Sequence, residues 1–138
     1  MAGALTGAQV QMLRMLTDDY DSMQYSVDEA EYVLRRIRPT CKKVIPREGG
    51  DVLYARLCLQ AYEMDGSPVA QREALADGIA QDARALLQTL QSLGSDAAGF
   101  GRTQIVRHLT MEGWEAENWL SRYPACDVQV DVQLFSPR

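Results

Sequence analysis

The chain has one histidine and three cysteines in its 138 residues, and it has no long apolar run. Each shortage closes off a class of function. With His108 the only imidazole, Ser-His-Asp or Cys-His chemistry would have to run through a residue with no nucleophile near it in sequence, so it reads as a surface or helix-end histidine. Cys41, Cys58 and Cys126 are too few and too scattered for a disulfide framework, and no CxxC pair points to zinc or thiol redox work. They are expected to be free thiols, small apolar fillers on strands. No segment approaches the roughly 20 apolar residues that cross a bilayer, and Met1-Ala2-Gly3-Ala4 lacks the basic and apolar regions of a signal peptide. The chain as it stands is therefore expected to be soluble. Basic residues are also in deficit, 14 Lys and Arg against 19 Asp and Glu for a net charge of −5, which argues against nucleic-acid binding through general charge.

What is present is a hydrophobic content of 46%, enough in this length for one core and one domain, 1–138. Thr6 with Gln9 three residues later is a capping-box signature, and Val10, Leu13 and Leu16 follow at helical spacing, which predicts a first helix over Gly7 to Thr17. Met23, Tyr25 and Val27 alternate with polar residues as in a half-buried strand, and Asp28-Glu29 reads as the turn after it. A second strand is expected from Glu31 to Ile45 and a third from Asp51 to Glu63, with Pro39 marking an edge or bulge. Beyond the turn formers Asp65-Gly66-Ser67-Pro68, the apolar stripe Leu75, Ile79, Ala83, Leu86, Leu87, Leu90 and Leu93 predicts a long helix over Val69 to Leu93. Short helices near Thr103–Leu109 and Gly113–Tyr123 and a last strand over Asp127–Phe135 complete the series. The fold class is α+β, a mostly antiparallel sheet packed against one long helix, with short helices before the last strand.

The hairpin between the second and third strands has two candidate registers. A two-residue Gly49-Gly50 loop sets Cys41 opposite Cys58 and turns Leu53, Leu57 and Leu59 to the face of Arg38, Thr40 and Lys42. A three-residue Glu48-Gly49-Gly50 loop sets Ile45 beside Leu53 and Cys41 beside Leu57. Because register follows the buried face, the second is favoured. It gathers Arg36, Arg38, Lys42 and Arg56 into a basic strip on the opposite face, which is either a solvated surface or a docking face for acidic partners.

Specific biology enters with the last third. Ser95-Asp96-Ala97-Ala98-Gly99-Phe100-Gly101 leads into Trp114 and Trp119, then Tyr123-Pro124, then the alternating Val128-Gln129-Val130-Asp131-Val132-Gln133-Leu134. That order resembles the carboxy-terminal domain of the Ger(x)C family, the lipoprotein C subunits of spore germinant receptors, in which an Asp-x-x-Gly-Phe-Gly turn follows a long helix. The family's further strands upstream of the segment resembling Leu5-Thr6-Gly7 are missing here, which suggests a fragment or a truncated member. The resemblance implies a non-catalytic assembly domain, partnership with integral-membrane receptor subunits, and placement at the spore inner membrane through a lipid anchor to which no residue here can be matched. A small-ligand domain sensing the germinant between helix and sheet is the rival.

In either reading no catalytic residue, cofactor or metal is assigned. Glu112, Glu115 and Glu117 read as a solvated helix face. Gly99-Phe100-Gly101 follows a helix rather than a strand and lacks the remaining features of a phosphate loop, so its role is structural, with Phe100 packed inward and Asp96 capping the turn. Trp114 and Trp119 differ by about 140° around a helix, so Trp119 pairs with Tyr123 in the core and Trp114 goes to the margin or to a contact surface.

Overall fold

The computed structural model describes residues 5–27, 29–45, 47–48, 50–67, 69–93, 95, 97–98, 100 and 123–135. Helix α1 spans Gly7–Leu16 and opens on the expected capping box: Thr6 Oγ1 accepts the Gln9 N–H at 3.1 Å, while the Gln9 side-chain oxygen accepts the Thr6 N–H at 2.9 Å. Two donors that the first turn would leave free are thereby satisfied. Met12, Met15 and Leu16 bury its inner face. The chain then turns at Asp18, whose φ of 63° is a left-handed conformation that a short acidic side chain tolerates.

Five strands follow: β1 Ser22–Val27, β2 Ala30–Arg36, β3 Cys41–Ile45, β4 Val52–Glu63 and β5 Asp127–Phe135. The long β4 is the spine. β3 runs antiparallel along its first half, with Ile45 opposite Val52, and β2 runs antiparallel along its second half, with Arg36 opposite Leu59. The other edge of β4 carries β5 in parallel from Val52 to Gln60, and β1 extends the sheet beyond β2. Between β4 and β5 lies the second helix, α2, Arg72–Ser92. A turn precedes it in which Gly66, at φ 88°, donates its N–H to the Glu63 carbonyl at 2.8 Å. Asp65 accepts the Ser67 hydroxyl and, at 2.9 Å, the Ser67 N–H, and these bonds hold its carboxyl below its ordinary pKa.

One core joins the sheet and the helices. Leu53, Leu57, Leu59, Ile79, Leu86 and Leu90 are buried, and Val130 and Val132 of β5 pack half-buried against them. Leu34, Val44, Met23 and the α1 methionines extend the same cluster, so both helices cover one face of the sheet.

The hairpin register differs from both expected alternatives. The ladder closes at Ile45 and Val52, leaving 46–51 as a wider connection, and Cys41 faces Arg56 rather than Leu57. The second strand also breaks into two: between the Arg36–Leu59 and Cys41–Arg56 pairs, four residues (37–40) oppose two, a double bulge around Pro39. Inserting two residues preserves the alternation, so Leu34, Thr40 and Val44 all turn inward. The sequence offers two adjacent apolar doublets, Val33-Leu34 and Val44-Ile45, and the inward set is the one opposite to that expected. A one-residue slip of this kind exchanges the two faces of a strand.

Candidate functional site: the outer face of the sheet

The turn after α2 acts as an anchor. Phe100 is fully buried, and Tyr123 buries its ring while its hydroxyl donates to the Ser95 carbonyl at 2.7 Å. Gln91, buried on α2, donates through Nε2 to the carbonyls of Tyr123 at 2.9 Å and Cys126 at 2.8 Å, fixing the chain where it turns into β5. Asp96, Gly99, Gly101, Trp114 and Trp119 lie outside the described residues, as do His108 and the three glutamates that follow it. Gln91 was not legible beforehand, because nothing in a helical period marks one glutamine as spanning to a strand entered more than thirty residues later.

The expected basic strip is divided by the register. Arg36 and Lys42 pair with Leu59 and Ala55 and so stand on the helix side of the sheet. Arg36 lies at its margin, where Nη2 binds Asp21 Oδ1 at 2.6 Å and Nε faces Asp18 Oδ1 at 3.4 Å. Asp18 also accepts the Thr40 N–H at 3.1 Å, so Arg36 and Asp18 clamp the corner after α1 to the bulge. Lys42 extends to the Ala98 carbonyl, with Nζ at 2.8 Å. Their neighbours Arg35 and Lys43 occupy the outer face instead, paired with Gln60 and Tyr54. Arg38 and Arg56 stand there as expected.

On that outer face the cations are interleaved with aromatic rings. The Arg38 guanidinium lies 5.4 Å from the Phe135 ring centroid and Lys43 Nζ lies 5.3 Å from that of Tyr54, within the range of cation–π attraction. Tyr54 donates its hydroxyl to Asp131 Oδ2 at 2.8 Å and accepts from Arg56 Nε at 3.2 Å. Burial raises the Tyr54 pKa, Asp131 adds to that, and Arg56 opposes it. Cys41, opposite Arg56, is exposed, which corrects its expected place as a filler, whereas Cys58 and Cys126 are buried; all three are free thiols.

Charge is segregated along the molecule. Half of the 14 basic residues fall between Arg35 and Arg56, where Glu48 and Asp51 are the only acids. The turn end of the sheet carries the reverse, with Glu29, Glu31, Glu63 and Asp65 around one open depression. Among the described residues no group of His, Cys, Asp and Glu could hold a metal ion. The outer face can thus present fixed positive charge beside flat aromatic surface, a combination suited to contact with acidic groups.

Comparison with known proteins gives a family likeness over part of the chain. Residues 70–135 match the model described as Spore germination B3/GerAC like, C-terminal. That stretch, just under half of the chain, is similar to a GerAC-like C-terminal domain. The matched stretch takes in α2, the anchor turn and β5. The fold of the chain is similar over 96% of its length to the crystal structure of the GerBC protein, with a TM-score of 0.68 at 14% sequence identity. It spans 46% of that protein. No curated protein matches it.

Among the described residues, no helix is long and apolar enough to cross a membrane.

Proposed function

We propose that the domain is a non-catalytic assembly module of a germinant-receptor C subunit, and that an acidic partner docks on the outer face at Arg35, Arg38, Lys43 and Arg56. The carrying observation is the concentration of cations on that face of a chain whose net charge is −5, while both helices pack on the other face. Fields of this kind steer association and fix orientation more than they add raw affinity. In this reading the domain works at the spore inner membrane beside integral-membrane receptor subunits, held near them by a lipid anchor borne elsewhere in the receptor protein. Trp114 belongs to the proposed surface by its sequence position alone.

The test is co-purification of the domain with the other receptor subunits. Arg38→Glu with Arg56→Glu should weaken association while the melting temperature stays near that of the unmodified domain, since both side chains are exposed. Arg36→Glu is the wrong variant for this purpose, because it breaks the clamp with Asp18 and Asp21. A folded double variant that associates as strongly as the parent overturns the assignment of the surface.

A further inference from the structure

Away from the outer face, a cleft of about 590 Å³ opens between α1, β1 and the middle of α2, within the size range of small-molecule sites. Helix α1 contributes Gln11 and Met12, β1 contributes Met23 and Tyr25, and α2 contributes Asp82 and Leu86. The walls are of two kinds. Met12, Met23 and Leu86 are buried and apolar, and thioether side chains adapt their shape to what they contact. Asp82 carries the only formal charge among the residues that line the cleft, and no lysine or arginine ion-pairs with it among the described residues.

The Tyr25 hydroxyl donates to Asp82 Oδ2 and so fixes the carboxylate at the cleft wall. That phenol does not neutralise it. Burial, and then Asp82 itself, push the Tyr25 pKa far above its ordinary value, so the proton stays on the phenol. One oriented carboxylate beside an apolar wall repels anions and offers a neutral molecule at most a hydrogen bond from an uncharged donor, weaker than an ion pair, for displacing water from the carboxylate. A single carboxylate also falls short of a metal's ligand set. An ammonium group carried on an apolar body satisfies both walls at once.

We propose that this cleft binds small organic cations, with the ammonium on Asp82 and the apolar body against Met12, Met23 and Leu86. The site is separate from the docking surface and does not depend on it.

Calorimetry with three probes of one shape tests this: phenethylammonium as the cation, phenylacetate as the anion and N-acetylphenethylamine as the neutral analogue. The cation should give a saturable isotherm, the other two none at the same concentrations. Asp82→Asn, which keeps an acceptor for Tyr25, should weaken binding at least about ten-fold, the scale of one charge-assisted contact. Ala85→Trp, which fills the cleft from an exposed position of α2, should abolish binding while leaving Tyr25 and Asp82 unmutated, and it decides the matter if the Asn variant folds poorly. No saturable binding of the cation, equal binding of the neutral analogue, or cation binding unchanged in Ala85→Trp would each overturn the proposal.

Discussion

Alternate residues of β4 meet two different surroundings. On the helix side Leu53, Ala55, Leu57, Leu59 and Ala61 are each no more than 3% exposed and belong to the core cluster. On the outer side Tyr54, Arg56, Cys58, Gln60 and Tyr62 are held by directed polar contacts, among them Tyr54 to Asp131, Cys58 to Gln133 and Tyr62 to Gln60. The first row derives its stability from area removed from water, the second its order from matched donors and acceptors. The same backbone thus separates the core from the outer face by one residue of register, so the outer row can vary in sequence with far less effect on the fold.

Adjacent substitutions on one strand sharpen this contrast most. Leu57→Ala should cost about 2–5 kcal/mol in denaturant unfolding, as expected for a buried leucine. Arg56→Ala beside it should leave the melting temperature unchanged. Equal effects from the two variants would show that the faces are not energetically distinct.

Gln91→Leu comes next in size. It removes the two buried hydrogen bonds from Gln91 to the carbonyls of Tyr123 and Cys126, and a loss of about 1–3 kcal/mol is expected. Hydrogen exchange at the start of β5 should accelerate more than exchange in β2. Uniform acceleration across the sheet would argue against a local anchor.

A smaller effect appears in alkali. Tyr25 and Tyr54 both have raised pKa values, burial being the first cause in each. The folded state favours the neutral phenol, so this contribution is complete below the unfolded tyrosine value of about 10 and is lost as pH rises through the folded values. Stability measured against pH should fall above that point, and Tyr25→Phe should flatten the fall. A Tyr25→Phe profile of unchanged steepness would remove burial of that phenol as the cause.

The mildest test leaves stability alone. In the native domain an aromatic disulfide reagent should label Cys41 quickly and Cys58 and Cys126 slowly, with all three reacting after unfolding. Rapid native labelling of Cys58 would mean that the outer row is open where it is described as closed.

Much of this architecture was legible in the chain. The stripe from Leu75 to Leu90 announces α2, the alternation from Val128 to Leu134 announces β5, and the capping pair Thr6 and Gln9 locates the start of α1. Periodicity failed at β2 and β3 because Val33-Leu34 and Val44-Ile45 each offer two apolar choices; Pro39 marked the place of the bulge, but its two-residue length follows from tertiary pairing. Membership of the basic surface failed with it, Arg36 and Lys42 giving way to Arg35 and Lys43. The cleft was beyond reach for another reason: Tyr25 and Asp82 are brought together by packing across 57 positions of sequence, and neither is unusual where it stands.

The parallel pairing of β4 with β5 has a consequence for how the molecule comes into being. Joining Val52 to Asp127 closes a loop that contains all of α2, whereas β1 meets β2 across a short turn. Loop-closure entropy makes such distant ladders slow to form, and β5 leaves the ribosome after its partner β4 and the whole of α2. Until it arrives, the β4 edge from Val52 to Gln60 offers unpaired backbone groups beside a row of leucines, a template for joining another chain. The interval between synthesis of α2 and docking of β5 is therefore when this protein is most exposed to aggregation.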